Sequence, residues 1–140
     1  MKMIINRILL ILLATIALSC TRDADKIWKG STIGDPGKYQ LTDNGLMLVI
    51  SIDNGLVRYE MIDSLGNILL KNQRNIGVYQ KWAFYFDQHE SLWVMSSDIG
   101  NAWWKKDTNR GGYEYIIMDY LFDKSIIPED VHTHVGGFIK

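Results

Sequence analysis

The chain has 140 residues, 47% of them hydrophobic and 22% charged, with 15 basic residues facing 16 acidic ones. That is apolar material for one modest core, too little chain for two domains, and too much hydrophobicity for wholesale disorder. Once Lys2 and Arg7 are set aside with the leader described below, 13 basic residues face 16 acidic ones, so no polycationic surface for nucleic acid is implied. All 12 glycines and all 16 aromatic residues follow residue 20, a mixture of turn formers and large flat side chains that favours strands. The expected fold class is all-β, an antiparallel meander of about eight strands in a small sandwich or barrel-like domain.

Lys2 and Arg7 flank the start of an apolar stretch, Ile8 to Leu18, whose one polar member is Thr15. Eleven helical residues cover roughly 16 Å, about half the ~30 Å hydrocarbon layer, so the stretch reads as a secretory signal and not as a permanent span. It ends in Ala17-Leu18-Ser19-Cys20, which resembles the lipobox of bacterial lipoproteins. The resemblance implies cleavage before Cys20 and acylation of its thiol, with Thr21, which is not acidic, leaning the protein toward the outer membrane. The cysteine count points the same way, because Cys20 is the single cysteine and an exported chain would otherwise carry a reactive thiol in an oxidising compartment. Several acyl chains, at about 0.8 kcal/mol per buried methylene, make such an attachment effectively stable. The expected organisation is a signal peptide over 1–19, a lipidated cysteine and tether over 20–36, and a single β-rich domain over 37–140. Within the tether, Trp28 is a candidate to dock onto the domain.

Asp43-Asn44-Gly45-Leu46 recurs ten residues later as Asp53-Asn54-Gly55-Leu56, and Asp63-Ser64-Leu65-Gly66 follows at the same interval. Asn-Gly suits a two-residue type I′ hairpin, in which both central residues need positive φ. A turn at Asn54-Gly55 sets Ile52 opposite Val57, Ile50 opposite Tyr59 and Leu48 opposite Met61. A like turn at Asn44-Gly45 sets Leu41 opposite Leu48 and Tyr39 opposite Ile50. Residues opposite one another share a face, so one face becomes apolar. The other receives Lys38, Gln40, Thr42, Ser51, Arg58 and Glu60, with Met47, Val49 and Ile62 among them. A one-residue slip would mix the two faces. Asp63 to Asn67, with Gly66 in the left-handed position, returns the chain into Ile68-Leu69-Leu70.

A second group begins at Trp82 to Phe86, turns at Asp87 to Ser91 and continues in Leu92-Trp93-Val94-Met95, a strand bulky on both sides that calls for cover on both faces. Ala102-Trp103-Trp104 and Tyr113 to Tyr120 follow, around a polar tip from Lys105 to Gly112. The Asp87 turn and Leu92-Trp93-Val94 look like the strand junction of a β-propeller blade. The chain is too short for four blades of roughly 40 to 50 residues, however, so a sandwich or small barrel is preferred. Beyond Leu121, Ser125 to Asp130 can open a short helical turn, and Val131 to Lys140 reads as a last strand or a tail.

His132-Thr133-His134, if extended, puts two imidazoles on one face near Glu129 and Asp130. These are weak metal candidates, since structural sites need four ligands and catalytic sites three, and a solvated pair is the plainer reading. His89, Asp87 and Ser91 offer the residue types of a hydrolytic triad, which only geometry can define. No glycine-rich phosphate loop, paired-cysteine motif or nucleophile elbow is present. Trp93, Asp98, Asn101, Trp103 and Trp104 are the candidate binding surface, aromatic faces beside a polar turn; the plainer reading is core and turn geometry. Adjacent Trp103 and Trp104 face opposite ways in a strand, so one inner face cannot bury both. Lys105, Lys106 and Arg110 could form a basic rim or simply a solvated tip.

The expected function is therefore a non-catalytic binding module, an inhibitor, immunity-type factor or assembly accessory, monomeric and held at the membrane by its N-terminal lipid. It needs no cofactor and takes an envelope protein or glycan as partner. Competing expectations are a small envelope hydrolase using His89 or the His132/His134 pair, and a purely structural envelope lipoprotein.

Overall fold

The computed structural model describes residues 25–118, 123–135 and 137–138. The leader, Cys20 and the end of the strand expected to reach Tyr120 lie outside the described residues. Among the described residues, ten strands form two sheets. The first sheet contains β1 (Lys26–Ile27), β2 (Gly37–Gln40), β3 (Met47–Asp53), β4 (Leu56–Ile62) and β5 (Ile68–Lys71) in that order, with β6 (Ile76–Gly77) also pairing β4. The second runs β10 (Tyr113–Met118), β9 (Asn101–Lys106), β8 (Leu92–Ser96), β7 (Trp82–Phe86). All pairings are antiparallel except β1 with β2. The fold is thus an all-β sandwich, with the eight expected strands present and β1 and β6 added as two-residue pieces.

The β3–β4 hairpin has the expected register, Ile52 opposite Val57, Ile50 opposite Tyr59 and Leu48 opposite Met61. Its turn holds Asn54 at φ 49° and Gly55 at φ 75°, as a type I′ turn requires. The preceding turn differs. Tyr39 lies opposite Leu48 and Gly37 opposite Ile50, two residues away from the expected pairing. Here Leu41 N donates to Leu46 O at 2.8 Å, which closes a four-residue loop in which only Gly45, at φ 88°, is left-handed. The Thr42 side chain stabilises that loop by accepting from Leu46 N at 3.3 Å and donating to the Asn44 side chain. A shift of two preserves side-chain parity, so Tyr39 and Leu41 remain buried.

The two sheets meet through one core. Leu48, Ile50, Val57, Tyr59, Met61 and Leu70 from the first sheet pack on Phe84, Phe86, Leu92, Val94, Ala102 and Trp104 from the second. Alternation sends Ala83, Tyr85, Trp93, Met95 and Trp103 to the opposite face of the second sheet, where Ile127 and Val131 cover them, with Trp28 and Phe138 packed alongside. Val131 belongs to α1 (Glu129–Val135), which follows a 3₁₀ turn at Lys124–Ile126 capped by the Asp123 side chain. Residues 131–135 are therefore helix, not the strand or tail expected. Glu129 and Asp130 sit in the first turn of α1, where carboxylates favour the helix dipole. No described helix is long and apolar enough to cross a membrane.

Residues 26–33, read as tether from sequence, pack on the sandwich. Trp28 is half-buried and meets Tyr85 and Phe86 edge-on, with centroids 5.9 and 5.8 Å apart. Ile33 is buried and exchanges 2.8 Å backbone hydrogen bonds with Phe84 in both directions, which covers part of the β7 edge.

Candidate functional site

The sequence candidates cluster around the second sheet, where Asp87, Ser91, Trp93, Trp103 and Trp104 are buried, Asn101 is half-buried, and His89, Asp98, His132 and His134 are exposed. Asp87 ends β7 and is 3% exposed. One carboxylate oxygen accepts from His89 N and Ser91 N at 2.9 Å each, and the other accepts from Trp93 Nε1 at 2.7 Å. Both oxygens are thus engaged by the turn and the indole, and Ser91 Oγ accepts from Lys106 N at 3.0 Å. His89 meets Asp87 through its backbone N–H, so the triad types are neighbours in one turn without being assembled as a nucleophile, base and orienter.

Trp93, Trp103 and Trp104 are 0%, 8% and 6% exposed, so these three do not form an open aromatic surface. Trp103 and Trp104 do face opposite ways, and each face has its own cover. Trp104 enters the inter-sheet core and donates its indole N–H to Tyr59 OH at 3.0 Å, while Trp103 stacks on Trp93 with centroids 4.7 Å apart and planes at 11° beneath the C-terminal segment. Burial pushes the Tyr59 phenol well above its ordinary range. Tyr85 is pushed up to about 12, first by burial and then by the neighbouring Asp130 carboxylate, to which its hydroxyl donates at 3.1 Å.

Asp98 and Asn101 act as ties between elements. Asp98 accepts from Ser96 Oγ at 2.5 Å and from Gly77 N at 3.0 Å, which fastens the β8–β9 turn to β6; the Ser96 hydroxyl is the main reason its carboxyl lies below the usual range. Asn101 Nδ2 donates to Phe138 O at 2.8 Å, which anchors the C-terminal cover. His132 and His134 sit two apart on α1, about 200° around a helix, so the shared face of an extended strand is lost. His134 stacks on Tyr85 at 4.7 Å, and among the described residues no three ligand side chains gather as a metal site.

With the second sheet packed on the first on one face and under Ile127 and Val131 on the other, the outer face of the first sheet is a broad face that no described segment covers. Register aligns Lys38, Val49, Glu60 and Lys71 in one row, Ser51 and Arg58 in a second, and Gln40, Met47, Ile62 and Ile68 in a third. A groove of about 380 Å³ crosses it, lined by Val49, Ser51, Arg58, Glu60, Lys71 and Asn72 among others. Arg58 is held at its rim, donating to Asn75 Oδ1 at 3.0 Å and lying 3.9 Å from Asp53. Asn72 repairs the gap between β5 and β6: its side chain donates to Val57 O at 3.0 Å and accepts from Tyr59 N, so the β4 edge stays satisfied where no strand runs beside it. Sequence reasoning did not single out this groove. Its signal was the intrusion of Val49 into an otherwise polar row, with Met47 and Ile62 farther along the same face.

In comparisons with protein-family models, curated proteins and solved structures, nothing matches the chain.

Proposed function

We propose that this is a lipid-anchored protein of the bacterial envelope that works by binding, with the open face of the six-stranded sheet turned to a protein or glycan ligand. The observation that carries the reading is the unequal treatment of the two sheets: one is covered on both sides, while the other keeps a grooved face. That face combines apolar positions (Met47, Val49, Ile62) with hydrogen-bonding and charged groups of both signs (Ser51, Arg58, Glu60, Lys71), a composition suited to a polar ligand held over a small apolar centre. Attachment rests on the Ala17-Leu18-Ser19-Cys20 pattern and the single cysteine.

The test has two arms. Mass spectrometry of the native protein is expected to find diacylglyceryl on Cys20, and Cys20→Ser to release the protein from membranes; an unmodified thiol overturns the anchor. Affinity capture from envelope extract is then compared between the native protein and Val49→Asp or Arg58→Glu. Loss of a stoichiometric partner in both folded variants is expected, and unchanged capture overturns this face as the binding surface.

A further inference from the structure

Sheet edges carry unpaired backbone donors and acceptors, and proteins guard them with short strands, bulges, charges or covering segments. Three edges here are guarded in that way. The β1 edge is two residues long, β5 is four residues long with a register irregularity at its β4 pairing and Lys71 at its end, and β7 is bridged by Ile33. The fourth edge, β10, runs six residues, Tyr113-Glu114-Tyr115-Ile116-Ile117-Met118, with no proline, lysine or bulge. Its one charge, Glu114, lies in register with Lys105 of the neighbouring strand, so it offers little repulsion to an incoming strand. Ile117 is 52% exposed, and Tyr113, Tyr115 and Ile116 are half-buried.

The direction of the free groups follows from the hairpin. Asp107 N donates to Gly112 O at 2.8 Å, so ladder bonds alternate from there, and Glu114, Ile116 and Met118 direct their backbone groups to β9. Tyr113, Tyr115 and Ile117 direct theirs outward, where among the described residues no strand pairs with them. Such an edge recognises an extended strand.

We propose that its occupant is the same edge of a second copy of this chain, antiparallel across a two-fold axis, in place of the monomer expected from sequence. Opposed residues must share a face, so the axis passes through a residue position. Centring on Tyr115 pairs Tyr113 with Ile117, Glu114 with Ile116, and Tyr115 with its own counterpart. All three outward residues of each strand then exchange both backbone bonds, and no carboxylate opposes another. Centring on Glu114 would set two carboxylates face to face. The strand is therefore self-complementary in the one register that uses all its outward groups, and the product is a continuous sheet across two copies.

The experiment uses the full chain in density-matched detergent. Sedimentation equilibrium from about 1 to 100 µM is expected to show a monomer–dimer transition within that range. Ile117→Lys, an inward-pointing edge charge, and Ile117→Pro, which deletes an outward N–H without touching the β9 ladder, are each expected to weaken dimerisation at least about tenfold. In the native chain, amide exchange at Tyr113, Tyr115 and Ile117 is expected to slow as concentration rises, a readout that holds even if a variant misfolds. A monomer throughout the range, a dimer unaffected by both folded variants, or edge amides whose exchange is independent of concentration would each overturn the proposal.

Discussion

The Asp87 carboxylate offers the sharpest test of how the second sheet is held together. It is buried and accepts three hydrogen bonds, of which those from Ser91 N and Trp93 Nε1 are fully enclosed. Replacement by alanine strands both enclosed donors at about 1–3 kcal/mol each, and the lost bonds are charge-assisted, so Asp87→Ala is expected to destabilise by about 3–6 kcal/mol. Asp87→Asn preserves the shape but has one acceptor oxygen. It either faces its amide toward the Trp93 indole N–H, or turns over and abandons the two turn amides, for about 2–4 kcal/mol. Against a typical stability of about 5–15 kcal/mol this moves a urea midpoint substantially. Tryptophan fluorescence in urea reads it, and a cycle with Trp93→Phe isolates the indole bond, with an expected coupling above about 1 kcal/mol. An Asp87→Asn cost under about 0.5 kcal/mol, or no coupling to Trp93, would refute this account of the buried carboxylate.

Three further outcomes are expected. Gly55→Ala costs about 1 kcal/mol, from the backbone alone, because its added Cβ meets nothing within 4 Å; Gly45→Ala costs more because its Cβ would lie 3.0 Å from Ser64 Cβ, and paired denaturation curves give the difference. Glu90 holds the left-handed position of the Asp87 turn at φ 59°, so Glu90→Gly should raise stability by up to about 1 kcal/mol despite loss of its partly exposed ion pair with Lys106; a decrease would argue against strain at this turn. Tyr85 and Tyr113 are pushed up to about 12, chiefly by burial, with the charges of Asp130 and Asp87 respectively adding to it. The unfolded chain releases these protons near pH 10 while the native protein keeps them, so stability is intact below about pH 10 and falls toward pH 12, with a shallower fall in Tyr113→Phe. Urea midpoints across that range check the slope.

Period-two patterning was enough to assign strands and faces, because burial on one side of a strand leaves a trace at alternate positions. It could read the β3–β4 register, where Asn54-Gly55 supplies both left-handed residues and a one-residue slip would expose the core. It could also read that Trp103 and Trp104 need separate covers. The same Asp-Asn-Gly-Leu words at Asp43 and Asp53 nevertheless make different turns. A two-residue shift leaves every side chain on its face, so hydrophobicity is blind to it, and the Thr42 side chain and the packing of Gly45 on Ser64 distinguish them. Packing between distant segments alone decided which element would cover Trp93 and Trp103: α1 and Phe138 lie far along the chain, and their contacts leave no local period to read. By filling that face, the C-terminal segment turned Trp93 and Trp103 into core, as the first sheet did for Trp104, and among the described residues the outer face of the first sheet and the edge of β10 stay uncovered.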